Sequence, residues 1–174
     1  MRKLSILSYI FAGLMLSSCD GYLKEDPRDQ LYPEDAYDTP QNVYLNTVAS
    51  LYNYIGGYSD SQGLQGTYRG VYDLNTFTTD EAMLPTRGGD WYDGGFWQGL
   101  FLHKWGTNSD AIQATWEYLY KVIVLSNQSL EILGELRQKT DYNDLDRYEA
   151  EVRAFRAMYY YYLVDMFGRV PLIV

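Results

Sequence analysis

The sequence has few of the residues that build metal sites and crosslinks. It contains one Cys and one His in 174 residues. One Cys excludes an intrachain disulfide and a cysteine zinc cluster, and one His excludes a multi-histidine metal site. Basic residues are also scarce, since 14 Lys and Arg stand against 23 Asp and Glu, for a net charge of −9. That balance argues against nucleic acid and anionic lipid headgroups as partners.

The N-terminal apolar run is too short to span a bilayer. Arg2 and Lys3 precede the uncharged stretch 4–16, which as a helix would measure about 20 Å against a hydrocarbon core of about 30 Å. Its length and basic flank are typical of a secretory signal. Residues 16–19 then read Leu-Ser-Ser-Cys.

Two small residues before a Cys, after an apolar run, resemble a bacterial lipobox, in which the Cys thiol is diacylated and becomes the new N-terminus. We therefore predict a signal peptide at 1–18 and lipidation at Cys19. An ordinary signal peptide with a chance Cys is the alternative. Residues 20–38 are polar, so 19–38 is predicted to be a tether after the lipidated Cys. Lys24-Glu25-Asp26 resembles the short charged signals that export lipoproteins to the cell surface, although a solvated tether explains it nearly as well.

Helical periodicity dominates the rest of the chain and predicts an all-α fold, with no strand-period segment of comparable length. Thr39-Pro40 predicts a first helix that ends at Gly56-Gly57. A short helix is expected around 64–75, followed by a glycine-rich loop of about thirty residues at 78–107. Two long helices are then predicted, one beginning at Asn108 or Ser109 and one from Leu145 to Phe167.

The last helix has two faces that can pack. One is the apolar 3-4 stripe, and the other carries small residues that let a neighbouring helix approach closely: Ala150, Ala154, Ala157 and then Tyr161. Such a helix is expected inside a stack of helical repeats. The sequence also runs apolar to its last residue, from Phe167 to Val174, which favours a fragment of a longer protein.

Several motifs together resemble the N-terminal part of the SusD/RagB family of outer-membrane nutrient-uptake lipoproteins. The most specific is Glu151-x-Arg153-x-Phe155-Arg156-Ala157-x-x-Tyr160-x-x-Leu163, followed by Phe167-Gly168-x-Val170-Pro171-Leu172. Upstream lie Thr79-Asp80-Glu81, Trp91-x-Asp93-Gly94-Gly95 and Trp116-x-x-Leu119-Tyr120-x-x-Ile123-x-x-x-Asn127. The resemblance implies tetratricopeptide-like helical hairpins with long irregular loops, covering 39–174 as a SusD-like helical region truncated at its C-terminal end. It also implies a lid on a SusC-like TonB-dependent β-barrel transporter that binds oligosaccharides or other nutrients.

The glycine-rich loop holds the best ligand candidates. A sugar ring presents an apolar C–H face that a flat aromatic side chain can cover, while polar groups bind its hydroxyls. We therefore predict ligand binding by five residues of this loop: Trp91, Tyr92, Trp97, Arg87 and Asp93. Asp90 and Gln98 are further polar candidates. The alternative is that these aromatics cover the helices or contact the transporter.

No group of residues predicts catalysis, a metal site or a cofactor. Asp80 and Glu81 are adjacent carboxylates with an expected structural role, and His103 is expected to pack in the loop. The predicted function is a nutrient-binding lipoprotein of the outer membrane, held there by its lipid anchor. The alternative is a helical interaction scaffold without a small ligand, and a helical polysaccharide-degrading enzyme is a weaker third possibility.

Overall fold

The computed structural model describes residues 35–56, 63–64 and 70–174. The predicted signal peptide, Cys19, the export signal and the tether as far as residue 34 lie outside the described residues. The residues from Tyr37 to Val174 form one compact unit. Regular structure in the described ranges is helical, apart from one isolated bridge between Arg87 and Asp90. The predicted all-α class is therefore confirmed.

The first helical segment begins where the Thr39-Pro40 pair predicted. Helix α1 spans Pro40–Tyr44, and the Thr39 hydroxyl accepts the Asn42 amide at 3.2 Å as an N-cap. A π-helical turn at Leu45–Ala49 follows, in which the Ser50 amide donates to the Leu45 carbonyl five residues earlier. Helix α2 (Ser50–Asn53) and a 3₁₀ turn (Tyr54–Gly56) complete the segment.

Two short helices precede the main hairpin, α3 at Val71–Phe77 and α4 at Phe96–Phe101. Two long antiparallel helices form the hairpin itself. Helix α5 runs over Asp110–Lys139 and continues through Gly134, and helix α6 runs over Leu145–Phe167, as the periodicity predicted. Asp110 lies in the first turn of α5 and Lys139 in its last, so both charges complement the helix dipole.

The main core lies between the first helical segment, α5 and α6. Its most buried side chains include Val43, Val48, Leu51, Leu119, Ile123, Leu133, Val152, Tyr159 and Leu163. Inside it, the Tyr118 hydroxyl donates to the Tyr54 carbonyl at 2.5 Å and lies 2.8 Å from the Tyr159 hydroxyl. Burial raises the pKa of Tyr118 and of Tyr159, because a phenolate would be poorly solvated there.

A second, smaller core cluster lies under the glycine-rich segment. It consists of Leu74, Trp97, Leu100 and Ala111. The segment 78–107 is thus not the single irregular loop that we expected, because helix α4 and a 3₁₀ turn at Asp93–Gly95 lie within it. The physical reason is that Trp97 and Leu100 are three residues apart and share one buried helical face.

The second face of α6 is exposed in this structure. Ala150, Ala154 and Ala157 are all exposed, and Tyr161 is 65% exposed. The first face packs as expected, with Leu145, Tyr148, Val152 and Phe155 buried. That a neighbouring helix covers the small-residue face therefore stays a prediction.

The residues after α6 are extended and bound along the hairpin by polar side chains. The Tyr160 hydroxyl accepts the Ile173 amide at 2.6 Å and donates to the Ile173 carbonyl at 2.8 Å. Asn127 donates to that same carbonyl at 3.1 Å and accepts from Arg156 at 2.7 Å. Tyr120 donates to the Pro171 carbonyl at 2.7 Å. The extended segment is therefore held in place by residues of the motifs quoted above: Tyr120, Asn127, Arg156 and Tyr160.

Candidate functional site

The site begins with a two-residue turn at Gly88 and Gly89. Arg87 and Asp90 exchange backbone hydrogen bonds of 3.3 and 3.1 Å across it. Gly88 has a φ of +64° and Gly89 does not have a positive φ, which is the pattern of a type II′ turn. This turn requires glycine at its first central position. It reverses the chain just before Trp91 and Tyr92, which are called the aromatic pair below.

Two residues of this turn, Trp91 and Asp93, have a backbone conformation that few side chains adopt. Trp91 has a φ of +58° and Asp93 a φ of +45°, and Gly94 and Gly95 are also left-handed. A left-handed tryptophan costs of order 1–3 kcal/mol, and residues of this kind cluster at functional sites. The Gly95 amide donates to the Tyr92 carbonyl at 2.7 Å, which closes the turn before α4.

The structure separates the three aromatic candidates into two exposed rings and one buried ring. Trp91 and Tyr92 are each 57% exposed, whereas Trp97 is 3% exposed. The Trp97 ring packs edge-on against Phe77 at 5.3 Å and Phe96 at 5.0 Å. It also meets Trp91 edge-on at 6.5 Å. Trp97 therefore supports Trp91 from below and offers no open face of its own.

The polar candidates differ in their exposure and contacts. Arg87, Asp90 and Asp93 are all exposed. Gln98 is different, because its amide nitrogen donates to the Leu84 carbonyl at 3.4 Å while its buried Oε1 has no hydrogen-bond partner. Arg87 and Asp93 thus lie exposed on the same short segment as Trp91 and Tyr92, whereas Gln98 is partly buried and contacts Leu84.

A further exposed aromatic follows α4 and was not among the predicted site residues. The Lys104 amide donates to the Gly99 carbonyl at 2.7 Å and the His103 amide to the Leu100 carbonyl at 3.1 Å, so α4 ends in a Schellman motif. His103 takes the left-handed position, with a φ of +55°, where glycine is usual. Its Nε2 lies 2.6 Å from the Thr78 carbonyl.

Trp105 follows this turn, and its side chain lines two grooves. Its indole is 45% exposed and contacts the His103 ring edge-on at 5.3 Å. A groove of about 310 Å³ lies on one side and a groove of about 400 Å³ on the other, and Trp105 and Leu100 line both. Sequence reasoning missed Trp105 because nothing in a non-periodic loop distinguishes an exposed indole from a buried one.

The structural role expected for the Asp80 and Glu81 carboxylates stays a prediction, whereas Arg153 has an ion-pair partner. Asp80 and Glu81 are exposed, and it is the Thr79 hydroxyl that binds locally, donating to Thr76 and accepting the Glu81 amide. Arg153 pairs with Glu149 at 2.6 Å and helps to lower the pKa of that carboxyl through hydrogen bonding. In the described ranges no cluster of His, Cys, Asp and Glu side chains could hold a metal ion.

None of the helices that the structure describes is both long enough and apolar enough to cross a membrane.

Known proteins with sequences similar to this chain give a consistent result. The chain is 26% identical over 175 residues to the SusD-like protein P25 of Formosa agariphila, covering 98% of this chain and 31% of that protein. It is 27% identical over 110 residues to the starch-binding protein SusD of Bacteroides thetaiotaomicron, covering 63% of this chain and 18% of that protein. The chain thus spans a third or less of either relative. No solved structure gives a significant match.

A SusD-like family model, described as starch-binding and associating with the outer membrane, matches residues 34–174. The match covers both long helices, the segment that holds Trp91 and Tyr92, and the extended residues after α6. Its description names binding and not catalysis. This chain therefore belongs to the SusD-like family of outer-membrane-associated binding proteins.

Proposed function

We propose that this chain is the N-terminal part of a surface-exposed outer-membrane lipoprotein that binds oligosaccharide for import through a partner SusC-like TonB-dependent transporter. Membership of a family described as starch-binding and outer-membrane-associated supports the binding role. The lipobox ending at Cys19 supports a lipid anchor, since several acyl chains give stable attachment where one is marginal.

The exposed aromatic pair carries the proposal. Trp91 and Tyr92 present large rings at the surface, Trp91 has a left-handed backbone, and Trp97 supports Trp91 from the core. Fixed aromatic rings bury the apolar face of a sugar at little conformational cost. Arg87 and Asp93 flank the pair and can bind the hydroxyls at the edge of the ring.

Energetics requires more than one aromatic contact. Covering one indole face with a sugar ring is worth about 1–2 kcal/mol through apolar burial. Millimolar binding already requires about 4 kcal/mol. Trp91 and Tyr92 must therefore act together with further contacts, from this chain or from the rest of the protein. Trp97 acts in this scheme as a positioning residue, because its own faces are covered.

Calorimetric titration of the full-length protein tests the proposal. Linear neutral oligosaccharides from starch, laminarin, xylan and mannan serve as probes. Trp91→Ala should weaken the bound glycan about tenfold, which corresponds to about 1.4 kcal/mol, while helical content stays unchanged. Leu102→Ala removes a side chain of similar exposure, 55%, that lines neither groove, and should bind as the parent does. Full affinity of the Trp91 variant would place the binding face elsewhere.

The second candidate is a helical interaction scaffold anchored by the same lipid. The exposed small-residue face of α6, with Ala150, Ala154, Ala157 and Tyr161, favours it because such a face accepts another helix. A protein partner recovered with the full-length protein, together with the absence of any glycan binding, would select this candidate.

A further inference from the structure

The indole of Trp105 has the properties of a ligand contact rather than of a core side chain. It is 45% exposed, although two grooves border it and the smaller core cluster lies nearby. Its neighbour His103 occupies a left-handed position at a cost that glycine would avoid. The His103 ring instead binds the Thr78 carbonyl and meets the indole edge-on, so it fixes the loop that presents Trp105.

The two grooves have a mixed lining. Leu100 and Trp105 provide an apolar surface common to both. Asn75, Thr78 and Asp165 also line the first groove, and Lys104, Asn108 and Ser109 line the second. Asp165 is the charged side chain of the first groove and Lys104 that of the second, and amides and hydroxyls supply donors and acceptors in both. A neutral, hydroxyl-rich ring matches this combination, since an anion would face Asp165 in the first groove, a cation would face Lys104 in the second, and a purely apolar ligand would leave the polar groups without partners.

The second groove is lined by Trp105 and by the turn that follows the aromatic pair. Gly94 and Gly95 line it, and these glycines directly follow Trp91, Tyr92 and Asp93 in the chain. This shared lining favours a linear ligand that contacts Trp91 and Tyr92 and continues into the groove. Each groove is near the lower end of the volume range for small-molecule sites, which suits a few sugar units rather than a large cofactor.

We propose that Trp105, positioned by His103, forms a second sugar-binding subsite that extends the Trp91–Tyr92 face and binds the distal units of a longer neutral oligosaccharide. This inference rests on the proposed function, because it names the reach of the same binding face. It predicts that ligand length, and not only ligand identity, determines the contribution of Trp105.

Titration of the full-length protein with maltoheptaose and maltotriose tests the subsite, and laminarin, xylan and mannan oligosaccharides of the same two lengths serve equally. Trp105→Ala should lose about tenfold in affinity for the longer probe and change little for the shorter one. Trp105→Phe keeps an aromatic face and should retain most of the affinity. Leu102→Ala is the matched control, because Leu102 lies three residues before Trp105 and has a similar exposed fraction. It should leave both affinities unchanged.

A second variant separates a loss of binding from a loss of folding. His103→Gly keeps the left-handed conformation without strain but removes the ring that fixes the loop. Its midpoint of urea denaturation should stay close to that of the parent, because relief of the left-handed strain offsets the lost contact with Thr78. Its affinity for the longer probe should fall severalfold.

The outcomes separate the two proposals. A Trp105→Ala protein that binds the longer probe as tightly as the parent, while Trp91→Ala is weakened, overturns the subsite alone. A loss that is equal at both lengths also overturns it, since an extension contacts only the longer ligand. A parent protein that binds none of the glycans overturns the proposed function and the subsite together.

Discussion

At the residue scale, Trp91 and Trp97 show how environment divides the roles of identical side chains. The sequence placed both in one glycine-rich segment, and its pattern could not tell them apart. Trp97 is buried because it lies three residues before Leu100 on one face of the short helix α4, which has Gly95 at its N-cap. Six residues is too short for periodicity to show, so the exposed and the buried indole become distinguishable only in three dimensions.

We expect Trp97→Ala to destabilise the protein by about 3–5 kcal/mol, because a large buried ring leaves a cavity in the smaller core cluster. Trp91→Ala removes a ring that is 57% exposed and should change the unfolding free energy by less than about 1 kcal/mol. Urea denaturation of the two variants measures the difference. Equal destabilisation would contradict the division of roles.

The buried pair Tyr118–Tyr159 makes stability sensitive to high pH. Burial raises the pKa of both hydroxyls, so above about pH 10 the unfolded chain releases these protons while the folded chain keeps them. Stability is complete below about pH 10 and should fall above it, by at most about 1.4 kcal/mol per pH unit for each tyrosine. Tyr159→Phe should reduce this slope in urea denaturation between pH 9 and 11.5. Tyr161→Phe, an exposed tyrosine on the same helix, is the control, and an unchanged slope in Tyr159→Phe would refute the assignment.

At the scale of the element, helix ends were more predictable than the loops between them. The Thr39-Pro40 pair and the Leu145–Phe167 periodicity gave boundaries that the structure confirms. These signals are local, since a cap and a 3.6-residue period depend on neighbouring residues alone. The Schellman turn with His103 in the glycine position could not be foreseen, because its stability comes from a contact with Thr78, twenty-five residues earlier.

Thr39→Ala should cost about 1 kcal/mol of unfolding free energy, within a usual range of about 0.5–2 kcal/mol for a lost N-cap. The variant loses the acceptor of the Asn42 amide. Thr39→Ser keeps a hydroxyl at the same position and should remain within a few tenths of the parent. Chemical denaturation of both proteins provides the comparison, and a serine variant as unstable as the alanine variant would show that the cap is not the cause.

The extended residues after α6 offer a second test at this scale. Tyr160→Phe removes the hydroxyl that binds both polar groups of Ile173. Hydrogen exchange at the Ile173 amide should accelerate about tenfold or more, while exchange in the centre of α5 should not change. Protection that persists in the variant would mean that Tyr120 and Asn127 suffice to hold the segment.

At the scale of the whole molecule, family and fold class followed from the sequence, whereas the ligand did not. The motif around Arg156 and Tyr160 is long and specific, and the family model covers it. Its side chains bind the extended segment through Asn127 and Ile173, so the motif identifies the scaffold and not the glycan. In the proposed function, ligand specificity belongs to the exposed aromatics, whose spacing follows no repeat.

The anchor gives a prediction for the intact protein in its native membrane. Cys19→Ala should abolish acylation and shift the protein from the membrane fraction to the soluble fraction, because the proposed lipid anchor is attached to that thiol. Metabolic labelling with an alkyne fatty acid and fractionation measure both effects. Cys19→Ser is a matched control that should behave as the alanine variant does, and membrane retention of both would refute the lipoprotein assignment.

The π-helical turn at Leu45–Ala49 has an evolutionary consequence. A hydrogen bond that reaches five residues back instead of four encloses one additional residue, so this turn has the form of an α-helix with a single residue inserted. Ser129 fastens it by donating to the Thr47 carbonyl at 2.9 Å. Relatives with an uninterrupted helix here should show a one-residue alignment gap between positions 45 and 49, and they should lack a hydroxyl at the position of Ser129. The inserted residue and the Ser129 hydroxyl that binds the turn would then have been gained or lost together.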